Sequence, residues 1–211
     1  FLINRTEEDF VANTINNMKE IPKIKYIITL DSDTNLILNS AFELIGTMEH
    51  ILNKPILKGG VVIEGHGIIQ PKVGIDLKEA EKSWFSRIFA GSAGTDLYTN
   101  AISDFYQDNF GEGIFTGKGI YELNTFYNVM KNAIPECTVL SHDLLEGSYL
   151  RCGLATDVLL MDGYPSKFMS FTTRQNRWIR GDWQICNWLC KNIRNEKNER
   201  RATTTEIIQK R

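Results

Sequence analysis

The segment 25–33, KYIITLDSD, decides the fold class of this chain. Its first six residues are almost wholly apolar and rich in β-branched side chains, which predicts a central strand covered on both faces. The strand ends on the acidic turn Asp31-Ser32-Asp33. After this turn, apolar residues recur at spacings of three and four, at Ala41, Leu44, Ile45, Met48 and Leu52. That spacing predicts a helix, so the segment opens a strand, turn and helix unit.

The rest of the chain continues the alternation of strands and helices. A helix is predicted over residues 6–20, and glycine corners divide one or two strands within 59–73. Further helices are predicted at 83–89, 141–150 and about 172–193. The long irregular stretch 91–119 is typical of a functional loop region. The alternation favours an α/β fold with a mostly parallel sheet flanked by helices.

The composition describes one globular domain or a large part of one. The 211 residues are 42% hydrophobic and 24% charged, which suits a chain that buries a core. The 24 Lys and Arg against 26 Asp and Glu give a net charge of -2, so no overall basic field would attract nucleic acid. No apolar run reaches the roughly 18 residues that cross a bilayer. Basic residues near the C-terminus alternate with glutamates, which predicts a solvated helix end or tail at Arg194, Lys197, Arg200 and Arg201.

The four cysteines predict reduced thiols rather than disulfides. A chain of this size needs no such cross-links, no CxxC pair is present and no secretory leader is visible, so a cytoplasmic setting is expected. Cys186 and Cys190 lie four residues apart in an apolar helical stretch, and both are expected in the core. The histidines, at positions 50, 66 and 142, are too scattered to complete a zinc site.

Asp31 and Asp33 are the first candidate site residues, because ligands of open α/β sheets bind beyond the carboxyl ends of strands. Two carboxylates one residue apart can both reach Mg²⁺ or Mn²⁺, which then bridges the oxygens of a diphosphate. The same residues could instead form an Asx-type turn or a helix cap. They also suggest a phosphatase of the haloacid dehalogenase type. The motif of those phosphatases has Thr or Val at the position of Asn35 in this chain, which weakens the phosphatase interpretation.

Ser141-His142-Asp143 lies at a predicted helix start, with Ser141 as the cap and Gly153 as the stop. Asp143 could be a general base held against an acceptor hydroxyl. It could equally do no more than favour the positive end of the helix. His142 beside it suggests a hydrolase triad, but the chain has no GxSxG elbow, which argues against nucleophilic catalysis.

The segment from Arg174 to Trp178, RQNRW, places two cations on neighbouring positions of one helical face. Arginine forks suit phosphate oxygens, and an exposed indole suits the apolar face of a sugar ring. Alternatively, Trp178 belongs to the core, and Arg174 and Arg177 are surface partners of Asp182 or Glu146.

Taken in order, these three groups resemble the GT-A pattern of processive inverting glycosyltransferases: a DxD turn, a later acidic base at a helix start and a (Q/R)xxRW helix. More closely, several blocks resemble the glycosyltransferase domain of the cyclic β-1,2-glucan synthase family. The blocks are YIITLDSDT at 26–34, GHGIIQPKV at 65–73, SDFYQDNFGEGIFTGKGIY at 103–121, LSHDLLEG at 140–147 and RWIRGDWQ at 177–184. The resemblance implies a Rossmann-like GT-A fold that lacks its first strand and helix units, so residues 1–211 are expected to be a partial catalytic domain.

The resemblance also implies roles for individual residues. Asp33 would hold Mg²⁺ or Mn²⁺, and Asp31 would contact the metal or the nucleotide ribose. Asp143 would be the catalytic base. The diphosphate and the acceptor sugar would be held by Arg174, Arg177 and Trp178, and the segment Gly117-Lys118-Gly119 would lie near the acceptor.

Two departures from the wider pattern fit the cyclic glucan branch better than cellulose or chitin synthesis. Arg174 stands where many processive synthases have Gln, and His142 stands where their base is preceded by Glu.

The implied reaction is a metal-assisted in-line displacement that transfers glucose from UDP-glucose to a growing β-1,2-glucan, with inversion. Proteins of this family continue into transmembrane helices and further domains. The expected location is therefore the cytoplasmic face of the inner membrane, with membrane attachment through flanking segments. The helix at 172–193 could lie along that surface, although core packing suits its mixed pattern better. The alternative function is a non-catalytic, glycosyltransferase-like scaffold that holds glucan in the same groove.

Overall fold

The structure is a computed structural model that describes residues 23–90, 101–135, 137–189, 194, 195, 197, 199 and 201–211, without the side chains of 101–104, 106, 205 and 210. The helix predicted over 6–20 lies outside the described residues, as do 91–100 of the predicted loop, Cys190 and Arg200. In the described part of the chain, no helix is long and apolar enough to cross a membrane.

The centre of the fold is a five-stranded sheet of order β1-β6-β5-β7-β2. Its strands are β1 (Tyr26–Thr29), β2 (Thr34–Leu36), β5 (Ile68–Ile75), β6 (Gly119–Glu122) and β7 (Cys152–Asp162). Only β5 and β7 pair in parallel, and the other pairings between the described strands are antiparallel. The prediction of a mostly parallel sheet is therefore wrong. Alternation along the sequence fixes the order of strands and helices, but it does not fix the direction in which non-consecutive strands pair.

A separate hairpin and eight α-helices complete the described structure. The hairpin consists of β3 (Ile56–Lys58) and β4 (Val61–Glu64). The helices are α1 (Ser40–Glu49), α2 (Leu77–Ala80), α3 (Trp84–Phe89), α4 (Ala101–Phe110), α5 (Leu123–Met130), α6 (Asp143–Leu150), α7 (Phe168–Ile185) and α8 (Thr204–Lys210). The helix predicted after the acidic turn, the strands within 59–73 and the helix at 83–89 are confirmed.

The strand predicted at 25–30 forms as β1, but it is not the central strand. β1 pairs with β6 on one side, and no described strand pairs with its other side. All of its residues are half-buried, since α1 covers only one face of this part of the sheet. Under α1, Leu44 and Met48 pack against apolar residues of the sheet, which are Ile69, Ile120 and Val158.

The predicted helix at 141–150 forms with different ends. α6 begins at Asp143, and Ser141 donates a hydrogen bond to the Asp143 carboxylate at 2.9 Å instead of capping the helix. The helix ends at Arg151, which adopts a left-handed conformation with φ 55°. Gly153 is not the stop, because it already lies in β7, the 11-residue strand that the sequence analysis did not predict.

Two further segments differ from the prediction. The stretch 91–119 is not wholly irregular, because α4 occupies 101–110. The last long helix, α7, begins earlier than expected at Phe168, whose ring packs against that of Phe85 at 5.9 Å between centroids. In α7 only Gly181 is buried, so core packing is not its main role, and Cys186 after it is exposed instead of buried.

The predicted solvated C-terminal tail is partly wrong. Thr203 caps the start of α8 and forms a reciprocal pair of hydrogen bonds with Glu206, and Ile207 is fully buried in the main core. Arg201 donates to the carbonyl of Val129 at 2.9 Å and lies over the ring of Tyr149. A short helix with polar ends gives little periodic signal, which explains why the sequence pattern missed it.

Candidate functional site

Lys118 lies between two carboxylates at the end of the sheet. Its ammonium is 2.7 Å from Oδ2 of Asp162 and 3.1 Å from Oδ2 of Asp31. The Lys118 side chain is only 11% exposed. Burial acts to lower the pKa of Lys118, but the contacts with Asp162 and Asp31 outweigh it, and the pKa is raised above its ordinary value. The ammonium is therefore a fixed positive charge beside the acidic turn.

The acidic turn is fastened to the end of β7. Thr34 begins β2, which pairs with the last residues of β7, and its hydroxyl donates to Oδ1 of Asp162 at 2.5 Å. The backbone N–H of Gly163 donates to the carbonyl of Asp33 at 3.1 Å. A Cβ at Gly163 would lie 3.1 Å from Cβ of Asp33, so a larger residue at this position would press on the turn. Asp31 and Asp33 are both exposed on the turn.

Asp143 lies over the glycine that precedes Lys118. Gly117 has φ 92°, a conformation that favours glycine, and a Cβ there would lie 3.2 Å from Oδ2 of Asp143. Ser141 holds the same carboxylate oxygen. The base candidate is thus fixed against the backbone of the Gly117-Lys118-Gly119 segment.

These contacts form a chain that links the predicted residues of the turn to those of the helix start. Asp33 touches Gly163, the neighbour of Asp162; Lys118 bridges Asp162 and Asp31; and Gly117, the neighbour of Lys118, touches Asp143. The structure therefore brings together Asp31, Asp33, Gly117, Lys118 and Asp143, which are contributed by three distant parts of the sequence.

α7 packs against the segment that precedes the base candidate Asp143. A Cβ at Gly181 would lie 3.3 Å from Cβ of Ser141, and the Gln184 side chain accepts a hydrogen bond from the backbone N–H of Leu140 at 2.7 Å. The RWIRGDWQ block thereby fixes the segment that precedes Asp143.

Arg174 forms a stack with two aromatic rings. Its guanidinium lies 4.9 Å from the ring of Trp178 and 5.6 Å from the ring of Tyr164. The Nε atom of Arg174 and the hydroxyl of Tyr164 are buried without a hydrogen-bond partner among the described residues. Arg177 is exposed.

The arginines do not form the ion pairs considered from the sequence. Within the described ranges, neither Arg174 nor Arg177 forms an ion pair with Asp182 or Glu146, and no ion pair joins either arginine to Asp31 or Asp143. Trp178 is half-buried, which matches neither a core residue nor a fully exposed one.

His142 and Glu146 form a second ionisable pair beside Asp143. Nδ1 of His142 lies 2.8 Å from Oε1 of Glu146, which is buried. The hydrogen bond that the His142 imidazole donates to Glu146 raises the pKa of His142, and burial raises the pKa of the Glu146 carboxyl. Ligand atoms of His142, Asp143 and Glu146 lie within 4.8 Å of one another. Because His142 and Glu146 already satisfy each other, this group is explained as an internal pair next to the base candidate.

The acidic turn carries the ligand type that Mg²⁺ and Mn²⁺ prefer. The Asp33 carboxylate is exposed, and no described cation pairs with it. Asp31 pairs with Lys118 through Oδ2, and its side chain is 58% exposed. The donor set therefore fits a hard divalent cation, with the condition that Asp31 is shared with an ammonium.

Asp162 was not among the residues predicted from the sequence. Its position resembles that of Asp31, because LLMDG, like ITLDS, is an apolar run that ends in Asp. A search for every aspartate at the end of an apolar run would have found it. Tyr164 was also missed, and nothing in its sequence context marks it.

Comparison with known proteins places the chain in a family. No family model matches it. It is 43% identical over 169 residues to the cyclic beta-(1,2)-glucan synthase NdvB of Rhizobium meliloti (strain 1021). The match covers 79% of this chain and 6% of the relative. With identity at this level over most of its length, the chain belongs to the cyclic β-(1,2)-glucan synthase family.

Proposed function

We propose that this chain carries the catalytic centre of an inverting GT-A-type glycosyltransferase, which transfers glucose from UDP-glucose to a growing β-1,2-glucan. The family relationship supports glycosyl transfer in general. One observation carries the assignment to these residues: the carboxylate of Asp143 lies against Gly117, and the next residue, Lys118, carries the ammonium that Asp31 and Asp162 hold. Two successive residues thus connect the base candidate to the acidic turn.

In this mechanism, Asp143 accepts the proton of the attacking hydroxyl on the acceptor glucan. Ser141 holds one carboxylate oxygen, which fixes the direction of the other. Gly117 has no side chain, so the acceptor can approach the backbone beside the base. Positioning of this kind supplies a large part of catalysis, since a base must lie within hydrogen-bond reach of the proton that it removes.

The donor is held from the other side. Asp33, with Asp31 beside it, would hold Mg²⁺ or Mn²⁺, which supplies positive charge for the departing diphosphate. Lys118 adds a fixed ammonium at the same turn, and the arginines of α7 are assigned to phosphate and sugar. A base on the face opposite the leaving group gives inversion, so an α-linked donor yields a β-linked product.

The location follows from the same proposal. The chain would act at the cytoplasmic face of the inner membrane, within a synthase whose other segments cross that membrane. The chain spans 6% of the length of its relative. In this proposal, segments outside the given sequence would supply the attachment.

The substitution Asp143→Asn tests the proposal in the intact protein. We expect the rate of UDP release to fall by about 10³-fold or more, because the base is removed. Binding of UDP in the presence of Mn²⁺, measured by calorimetry, should stay within about twofold. Asp157→Asn is the matched control, since Asp157 is exposed on β7 beside α1. Loss of both turnover and UDP binding, or of neither, contradicts the assignment.

The same measurements separate the alternatives. A glucan-binding scaffold would bind glucan and show no UDP release in the unsubstituted protein. A phosphatase would form an aspartyl-phosphate at Asp31, which a fluoroberyllate complex would mimic.

A further inference from the structure

The two carboxylates that hold Lys118 differ in their surroundings. Asp162 is 16% exposed and uses both oxygens, one for Lys118 and one for the hydroxyl of Thr34. Asp31 is 58% exposed, and Lys118 is the one described cation that pairs with it. Asp162 is therefore the fixed anchor of the ammonium, and Asp31 is the partner that solvent or a ligand can reach.

The ammonium has little freedom to leave this place. Lys118 stands between Gly117 and Gly119, at the start of β6, where Gly119 pairs with Thr29 of β1. A Cβ at Gly119 would lie 2.2 Å from the carbonyl oxygen of Ile69, so the backbone is packed tightly against β5. With its stem buried and its backbone fixed, Lys118 presents its charge at one position.

That position creates a conflict for a divalent cation at the acidic turn. A metal ion bound by Asp31 and Asp33 would lie close to the Lys118 ammonium, which already pairs with Asp31. The two positive charges would repel each other strongly. A diphosphate changes the balance, because its oxygens attract both the metal ion and the ammonium.

We propose that Lys118, positioned by Asp162, couples the two components of the donor: it weakens divalent-cation binding at the acidic turn while the diphosphate is absent, and it becomes a ligand of the diphosphate when the donor binds. Asp162 is a positioning residue in this scheme, since it acts through Lys118. The inference rests on the proposed function, because it takes a nucleoside diphosphate as the ligand of the turn.

Two titrations of the intact protein test the coupling, and neither depends on turnover. The first measures the affinity for Mn²⁺ without nucleotide, from the electron paramagnetic resonance signal of free Mn²⁺. The second measures the affinity for UDP at saturating Mn²⁺ by calorimetry. Lys118→Met should bind Mn²⁺ alone about tenfold more tightly and UDP about tenfold more weakly, because one charge–charge interaction is removed from each equilibrium.

Asp162→Asn should have the opposite effect on Mn²⁺. Without its anchor, the ammonium pairs with Asp31 alone, so we expect Mn²⁺ to bind several-fold more weakly in the absence of nucleotide. Two controls match the charge changes at other sites. Lys131→Met removes an exposed ammonium at the residue that follows α5, and Asp76→Asn removes a carboxylate that caps α2. Both controls should leave the two affinities within about twofold.

The outcomes separate this inference from the proposed function. If the unsubstituted protein does not bind UDP with Mn²⁺, the proposed function fails and the inference fails with it. If it binds UDP but Lys118→Met leaves both affinities unchanged, or shifts them in the same direction, only the coupling is overturned. Thermal unfolding checks that each variant folds. Should Lys118→Met fail to fold, Asp162→Asn decides, and unchanged or tighter Mn²⁺ binding overturns the inference.

Discussion

Lys118 and Arg211 are both buried cations that pair with a carboxylate, yet they are held in different ways. Arg211 is 7% exposed, and its charged partner Glu112 is 9% exposed. The same guanidinium donates to the carbonyl of Val62 at 3.1 Å and to that of Ser148. Lys118 instead shares its charge between a fixed carboxylate and the exposed Asp31.

The difference separates a pair that stabilises the fold from a pair that the proposed function uses. A buried cation whose carboxylate partner is also buried contributes to the fold, because removing either member leaves an uncompensated charge. A buried cation with one exposed partner can exchange that partner for a ligand at little expense to the fold. Burial alone therefore does not mark a functional charge; the exposure of its partner does.

The largest expected effect is the loss of stability when Arg211 is replaced. Arg211→Met leaves Glu112 buried and unpaired, so the free energy of unfolding should fall by about 3–5 kcal/mol in urea titrations. UDP binding by the fraction that remains folded should not change. Lys72→Met, an exposed lysine on β5, is the control and should change stability by less than about 0.5 kcal/mol. Adding Glu112→Gln to Arg211→Met should recover part of the loss; no recovery would show that the pair is not the cause.

The second test applies the same substitution to the other cation. Lys118→Met should lower the free energy of unfolding by about 2 kcal/mol, less than Arg211→Met, because Asp31 can turn to water and Asp162 keeps its bond to Thr34. The measurement is the same urea titration. Equal destabilisation by Lys118→Met and Arg211→Met would contradict the claim that the two cations are held in different ways.

Gly117→Ala tests whether the contact between Gly117 and Asp143 matters for turnover. The new Cβ would press on the Asp143 carboxylate at 3.2 Å and would force alanine into φ 92°. We expect turnover to fall by about tenfold, because displaced catalytic groups lose alignment. Gly59→Ala is the matched control for backbone strain, with φ 61° and nothing within 4 Å of its Cβ. Equal turnover in the two alanine variants would mean that the contact with Asp143 is irrelevant.

The smallest effect concerns His142 and Glu146, a pair with one exposed and one buried member. The pKa of His142 is raised above its usual value of about 6.5, so its stabilising contribution is complete below that pH and is lost as pH rises through the folded pKa. The raised pKa of Glu146 acts in the same direction at lower pH. Unfolding free energies should therefore fall as pH rises.

His142→Gln should make the decline above pH about 6.5 shallower, by less than about 1 kcal/mol, since half of the His142 side chain faces solvent. Urea titrations at several pH values measure this difference. Identical pH profiles for the two proteins would contradict the assignment of the slope to His142.

Several parts of the fold could be predicted because their residues repeat with a clear period. The stripe through Leu44 and Met48 specified α1, and the apolar run before Asp31 specified a strand. Strand direction could not be predicted, since β6 pairs antiparallel with both of its neighbours across long stretches of sequence. α8 was missed because only one of its described side chains, Ile207, is deeply buried, which leaves no apolar stripe.

The candidate site was predictable only in part. An acid after a strand and an acid at a helix start are local signals, so Asp31, Asp33 and Asp143 could be named. That Lys118 bridges Asp31 to Asp162 depends on the register between β2 and β7, and no local pattern specifies this register. The stacking of Arg174 on Tyr164 depends in the same way on where β7 ends.

The attachment of the acidic turn to the end of β7 has a kinetic consequence. The bonds from Thr34 to Asp162 and from Gly163 to Asp33 fix the turn before any ligand arrives. A preorganised binding surface avoids the entropy loss of ordering a loop, and it needs no slow rearrangement after the ligand first makes contact. Nucleotide association should consequently follow a single exponential in stopped-flow traces, with a rate that rises linearly with concentration.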